Sequence, residues 1–538
     1  MTGSADNTPP QNLKRRRLVV LVPGFRGSVR TWQLLIERLS AESEFATADT
    51  LWFPYEHGIS LFSLRSLNSE ARNLAALING QWHKKNGFDD IILVGHSMGG
   101  LIVRQCYLLG VGASAENQPA PWASVVRRVV LMASLNRGLD WESRISFRIW
   151  AYLARIVTPI SRLATSQVMR GSDFLTNLRI EWIRHFSNQD AQVAPLIVQL
   201  LGTMDSEVTE DDSKDVLAFP SGHYISVPDA NHRGLPRLDL AKDPDIQYAL
   251  VREAFLGELQ PQETIAKNTV RRVVFVLHGI RDSNVANWVD QLRTRIEVRE
   301  ADAVEVVTPT YGYFTAARFA LPTVRRKNIR IFQDWYTEAL ARHPQAQFDV
   351  IAHSNGTYIL GHSLLRTPGM RFTNVALVGS VLPQDFWYRF DSSRAAQTTR
   401  VRNDRANRDW PVALLCNALA GLNMRDVGIA GFGGFLGDVT EEVAYYSGGH
   451  SAGLQSNRLD SLVDFTLDGP FSKPSNLAHA PGYFQQLSNA MPLLAQVVVA
   501  GAILGLLYAV FQNWTFHFDR AMTATLALIV TYWFLDIV

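Results

Sequence analysis

IILVGHSMGG, residues 91–100, is the stretch on which the fold turns. Its first four residues are β-branched or apolar and predict a short buried strand. The strand runs into Gly95-His96-Ser97-Met98-Gly99, the strand, sharp turn and helix signature of a nucleophile elbow. Such a turn forces the central residue into strained backbone angles and brings neighbouring chain close, so small residues must flank it. Leu101–Leu109 continues as an apolar segment and predicts the helix that follows. Free N–H groups at a helix start face a developing negative charge favourably, which makes Met98 a candidate oxyanion donor and Ser97 a candidate nucleophile.

Outward from the elbow, strand-like and helix-like segments alternate, the pattern of a parallel α/β sheet. Leu18–Val22 predicts a strand, Trp32–Leu39 and Ala71–Trp82 predict helices, and Val125–Ala133 predicts the next strand. Ala194–Leu201 predicts another, ending at Gly202-Thr203-Met204-Asp205. A carboxylate at that strand end is the candidate acid, and His232, in Asp229–Leu235, is the candidate base. Serine alone is a poor nucleophile; an imidazole must take its proton, and a carboxylate must orient the ring and stabilise its charged form. Asp211 and Asp212 are rival acids whose charged, turn-like surroundings suit a solvated loop, and His96 and His223 are rival bases. Trp141–Ile160 mixes aromatic and aliphatic residues with Arg144, Arg148 and Arg155. It reads either as a buried helix with solvated arginines or as an amphipathic lid, within a cap insertion over about 140–190.

At 538 residues the chain calls for two or three domains. Its net charge of +2 and the lack of any dense basic tract beyond Lys14–Arg17 exclude a nucleic-acid partner; residues 1–16 read as a basic leader. Residues 1–13 lack the apolar core of a secretory signal. Cys106 and Cys416 fall in separate apolar segments and imply no disulfide framework. No motif points to a metal or a cofactor.

After a linker at 256–270 the logic repeats. Arg271–Leu277 predicts a strand that ends at His278-Gly279-Ile280, and Phe348–Ala352 predicts one followed by His353-Ser354-Asn355-Gly356. Gly24 and Gly279 are 255 residues apart and Ser97 and Ser354 are 257 apart, a near-constant offset that argues for a duplicated fold over 271–480. Ser354 is then a second candidate nucleophile, with oxyanion donors at Ile280 and Asn355. Its base is His450, between glycines and Ser451, and its acid is Asp409, with Asp404 competing. Ala352 stands where the elbow's first glycine is usual, so the second fold reads either as a second active site or as support for packing and substrate placement. Gly431–Gly437, GFGGFLG, lacks the Lys-Ser/Thr of a phosphate loop.

Met491–Phe511 is a 21-residue uncharged run with Gln496 as its one strongly polar member, long enough to span a bilayer of about 30 Å. Ala521–Leu535 is a shorter apolar run, so residues 491–537 predict a membrane hairpin, or one span and an interfacial segment. Gly501 and Gly505 offer a small-residue face for homo-oligomerisation. The expected location is a membrane with cytosol-facing catalytic domains, the inner membrane in a bacterium.

Gly95–Arg104, together with Pro23-Gly24-Phe25, Asp205 and His232, resembles the α/β-hydrolase superfamily, nearest its lipase and deacylase group. The resemblance covers about residues 17–255, and more distantly about 271–480. It implies two tandem α/β-hydrolase domains and the chain order nucleophile, acid, base seen in Ser97, Asp205 and His232. It also implies a second oxyanion N–H from Phe25 and an acyl-enzyme on Ser97. The activity it implies is a membrane-anchored serine esterase or lipase acting on lipid or acyl-ester substrates. The same triad serves acyl transfer or amide hydrolysis, and a catalytically inert membrane scaffold is the reading from another class.

Overall fold

The computed structural model describes residues 15–24, 27–53, 66–113, 118–139, 164–187, 194–260, 269–279, 285–309, 322–390, 395–437, 440–470, 477–479 and 481–512. The chain divides into two compact units. The first comprises residues 1–267 with 336–344, and the second comprises 268–335 with 345–538.

In the first unit, strands β1 (Arg17–Val22), β2 (Asp49–Trp52), β3 (Asp90–His96), β4 (Val126–Met132), β5 (Leu196–Gly202) and β6 (Gly222–Val227) form one sheet in the order β2-β1-β3-β4-β5-β6. Every pairing is parallel. A parallel sheet is covered on both faces, which is why β1, β3 and β5 read as continuous apolar runs and not as alternation. All seven residues of β3 are buried. The register sets His96 beside Met132, Met132 beside Leu200, and Leu200 beside Ile225. The carboxyl ends of β3, β5 and β6 therefore share one edge, and the residues that follow each strand gather there.

Helix α1 (Gln33–Ser40) and helix α2 (Leu67–Lys84) lie close to their predicted positions. Helix α3 (Met98–Gly110) follows the elbow and is buried along almost its whole length. Helix α4 (Asp173–Ser187) stacks Phe186 on Tyr107 of α3, with ring centroids 5.9 Å apart. Of the expected cap at 140–190, α4 is described; the lid sequence Trp141–Ile160 lies outside the described residues. Helix α5 (Pro244–Leu256) closes the unit.

The second unit repeats the layout. Strands β7 (Arg272–Leu277), β8 (Val304–Val307), β9 (Gln347–His353), β10 (Phe372–Val378), β11 (Thr398–Ala406) and β12 (Glu441–Tyr446) run in the order β8-β7-β9-β10-β11-β12, again with parallel pairing. Helices α6 (Val285–Glu300), α7 (Pro322–Arg342, of which residues 336–342 count with the first unit), α8 (Asn355–Arg366), α9 (Leu459–Thr466) and α10 (Gly482–Gln512) complete the described long helices. The fold class is α/β with two parallel sheets.

The expected membrane segment is corrected. Among the described residues no helix is long and apolar enough to cross a membrane. Residues 491–512 form the later part of α10, whose first turns carry Gln485, Gln486, Ser488 and Asn489 and which contains Pro492. These turns dock on the second unit's own chain. Ser488 is buried and its hydroxyl donates to the Ala413 carbonyl, while Gln496 Nε2 donates to the Gly421 carbonyl at 2.8 Å. A Cβ on Gly421 would meet the Pro492 Cα at 2.4 Å. The apolar run thus begins as part of a packed helix. The membrane anchor, the membrane location and oligomerisation through that segment lose their basis together, and Ala521–Leu535 lies outside the described residues.

Candidate active site

Ser97 occupies the turn between β3 and α3 at φ 52°, ψ −124°, a left-handed conformation that costs a non-glycine residue about 1–3 kcal/mol. The turn is tied into the sheet by the Ser97 N–H, which donates to the Met132 carbonyl at 2.9 Å. Close packing explains the flanking glycines. A Cβ on Gly95 would lie 2.5 Å from the Gly100 Cα, and one on Gly99 would lie 2.4 Å from the Val22 carbonyl oxygen. Since the atom met by Gly99 is backbone, nothing can swing aside. Gly99→Ala is expected to lower stability by about 1–3 kcal/mol, measured as an earlier denaturant midpoint. An unchanged midpoint would contradict this packing.

His232 lies beyond β6, and its ring bridges two partners. Its Nδ1–H donates to Asp205 Oδ2 at 2.8 Å, and its Nε2 accepts from Ser97 Oγ at 2.9 Å. Asp205 follows β5, and its side chain is fully buried. Its Oδ1 accepts from the N–H groups of Glu207 at 2.7 Å and Val208 at 2.9 Å. Burial pushes the Asp205 carboxyl up, but the His232 hydrogen bond and charge and these two backbone donors outweigh it and hold the group below its ordinary value. The three side chains come from three strand ends of one sheet edge and meet in one chain of hydrogen bonds.

Two features of this cluster are absent from the sequence reading. His96 Nε2–H donates to the His232 carbonyl at 2.8 Å, and the two rings lie 5.1 Å apart, so the elbow itself braces the histidine loop. The approach of β3 to the loop after β6 creates that contact, and no spacing in the chain signals it. Glu207 places Oε2 3.5 Å from His232 Nε2 while remaining 46% exposed, which puts a solvated carboxylate beside the nucleophile.

Met98 sits in the first turn of α3, where its N–H has no carbonyl four residues back to bond. Phe25 and Ile280 lie outside the described residues. The rival acid Asp212 is not in a solvated loop: it is buried and accepts from the N–H groups of Asn136 at 2.8 Å and Arg137 at 2.6 Å. Burial pushes its carboxyl up to about 6 in spite of those donors. It anchors the chain after β4. His223 lies on β6.

In the second unit Ser354 occupies the turn between β9 and α8, and Asn355 begins α8. His450 Nδ1 is 2.9 Å from both carboxylate oxygens of Asp409. Asp404 is not its partner: Arg402 holds both Asp404 oxygens, at 2.7 and 2.9 Å, in the buried sheet. The glycine-rich run at 431–437 packs against the end of β10, with the Gly431 N–H donating to the Ser380 carbonyl at 2.7 Å. Among the described residues no group of three or more His, Cys, Asp or Glu side chains is arranged to hold a metal ion.

The sheet order, the elbow and the meeting of Ser97, Asp205 and His232 invite comparison with known proteins. Residues 19–251 match the Alpha/beta hydrolase family. The match lies within the first unit and covers less than half of the chain. It ends before the second sheet, so the expectation of two tandem hydrolase domains is corrected to one family match and a second parallel α/β sheet. A putative hydrolase from Agrobacterium vitis S4 is 18% identical, with 45% of this chain and 88% of that one covered and a TM-score of 0.32. A lipase-esterase related protein from Clostridium acetobutylicum is 14% identical over 45% of this chain and 95% of that one, with a TM-score of 0.30. The phospholipase PlaB from Legionella pneumophila is 19% identical, over 35% of this chain and 37% of that one, with a TM-score of 0.25. Likenesses this distant carry nothing about substrate or mechanism. No curated protein matches the chain.

Proposed function

We propose that the first unit is a serine hydrolase that cleaves carboxylic esters through an acyl-enzyme on Ser97. The observation that carries this reading is the His232 ring, bonded at 2.8 Å to Asp205 and at 2.9 Å to a serine in an elbow conformation. Ser97 Oγ attacks the ester carbonyl carbon as its proton passes to His232 Nε2. Asp205 stays ionised, holds the Nδ1–H tautomer and stabilises the imidazolium. The tetrahedral oxyanion faces the Met98 N–H at the start of α3. Collapse breaks the ester C–O bond, and the alcohol leaves with the proton from His232. Water, deprotonated by the same nitrogen, then releases the acid and restores Ser97. An alkoxide is a better leaving group than an amide nitrogen, so an ester is the easier substrate for this triad.

The test is turnover of a p-nitrophenyl ester series, with rapid acid quenching and mass analysis of the protein. The expected result is one acyl group on the peptide containing Ser97 during turnover. Undiminished turnover with that peptide never acylated overturns the reading.

Glu207 bears on which esters are accepted. A carboxylate this close to His232 Nε2 repels an anionic substrate group, an effect softened by its exposure. Glu207→Gln is expected to raise kcat/KM for an ester with a carboxylate near the scissile bond by about 3–5-fold relative to its neutral analogue. Equal change for both esters would remove Glu207 from substrate selection.

A further inference from the structure

We infer that the second unit holds a nucleophilic serine site of its own, in which Ser354 attacks carboxylic esters with His450 as base and Asp409 as its orienting acid. The family match leaves this unit untouched, so the inference rests on local geometry alone.

Ser354 adopts φ 54°, ψ −122°, within a few degrees of Ser97 at φ 52°, ψ −124°. A serine in this region costs about 1–3 kcal/mol and persists only where the surroundings enforce it. The enforcing contacts match those of the first unit. The Ser354 N–H donates to the Val378 carbonyl at 3.0 Å, as the Ser97 N–H does to Met132 at 2.9 Å. A Cβ on Gly279 would stand 2.8 Å from the Ser354 Cβ, and one on Gly356 would stand 2.5 Å from the Leu277 carbonyl oxygen. Ala352 fits in the position of the elbow's first glycine and is fully buried.

The histidine pair is an independent observation. His450 faces His353 at a ring separation of 4.9 Å, against 5.1 Å for His232 and His96. The Asp409 side chain is wholly buried, and His450 is 19% exposed. The Asp409 carboxylate bonds this mostly buried imidazole and orients the ring, while its Oδ1 also accepts from the Val412 N–H at 3.1 Å. The two sites are not identical: Ala352 replaces the glycine found at 95, and among the described residues His450 Nε2 makes no hydrogen bond to Ser354 Oγ of the kind His232 makes to Ser97. Such bonds often close only when substrate is bound.

The chemistry balances with water alone. Ser354 Oγ bonds to the ester carbonyl carbon and gives its proton to His450 Nε2. The ester C–O bond breaks, and the alcohol departs with that proton. Water then cleaves the acyl-serine to the acid. The Asn355 N–H, at the start of α8, faces the oxyanion.

The deciding experiment is fluorophosphonate labelling of the full chain followed by intact-mass and peptide analysis, in the Ser97→Ala and Ser97→Ala/Ser354→Ala proteins. The expected result is one phosphonyl group per Ser97→Ala chain, on the peptide containing Ser354, and none on the double variant. Asp409→Asn in the Ser97→Ala background is expected to slow that labelling at least tenfold with an unchanged melting temperature. An unlabelled, folded Ser97→Ala chain overturns the inference. Labelling of Ser97 in the wild-type protein reports on the first site separately, so the two readings fail independently.

Discussion

Replacing Ser97 with alanine is expected to lower ester turnover by the first unit by about 10⁴–10⁶-fold, the range set by removing the nucleophile of a serine–histidine pair. The measurement is made in a Ser354→Ala background, so that the second unit contributes nothing. The loss should fall on kcat, with KM for the ester little changed, because Oγ forms its bond only on the way to the transition state. Alanine keeps the Cβ that the elbow already accommodates at φ 52°, so the fold and the Met98 N–H remain in place. A melting temperature within a few degrees of the parent's verifies that. Turnover within tenfold of the parent would sink the proposed role of Ser97.

The second large effect is on stability and comes from His96. Burial, reinforced by the charge of His232 and opposed by the hydrogen bond to the His232 carbonyl, lowers its value from 6.5 to about 4. The folded protein thus resists a proton that the unfolded chain accepts. Stability from this group is fully present above the unfolded value of 6.5 and declines as pH falls toward about 4, below which no further loss accrues. Two and a half pH units correspond to about 3 kcal/mol. Denaturant unfolding of wild type and His96→Gln between pH 7 and pH 4 reads this directly. The wild type should lose about 3 kcal/mol more than the variant over that interval. Parallel curves would mean that the imidazole is not held neutral. The role is one of support, since His96 braces the loop that carries His232.

Local sequence carried a large part of the architecture. β3 and α3 are legible because an apolar run, a small-residue turn and a second apolar run each limit the backbone over a few residues. The repeat of that pattern at Ser354 is legible for the same reason, and the elbow angles of the two serines agree closely. The partners of the serines depend on distant chain. Asp409 and Asp404 are indistinguishable as isolated carboxylates. Only the pairing of β11 with its neighbours, which buries Asp404 against Arg402 and leaves Asp409 facing His450, separates them. Asp212 reads as a loop charge because its neighbours in sequence are charged, yet its hydrogen-bond donors come from Asn136 and Arg137, 76 and 75 residues away.

The carboxyl-terminal helix departs from the sequence expectation for a related reason. Hydropathy over 491–511 counts side chains one at a time and omits what precedes them. The docking of Ser488, Pro492 and Gln496 onto residues 413–421 is a tertiary fact. By itself the sequence determined the alternation of parallel strands and helices, both elbows and the identities of Ser97, Asp205 and His232 as a candidate set, because these rest on short-range backbone constraints and side-chain chemistry. Only the tertiary structure decided which carboxylate meets which histidine, that His96 supports the His232 loop, that Glu207 stands beside the nucleophile, and how α10 is engaged. Each of these depends on contacts between segments far apart in the chain, where packing and burial, not local propensity, set the outcome.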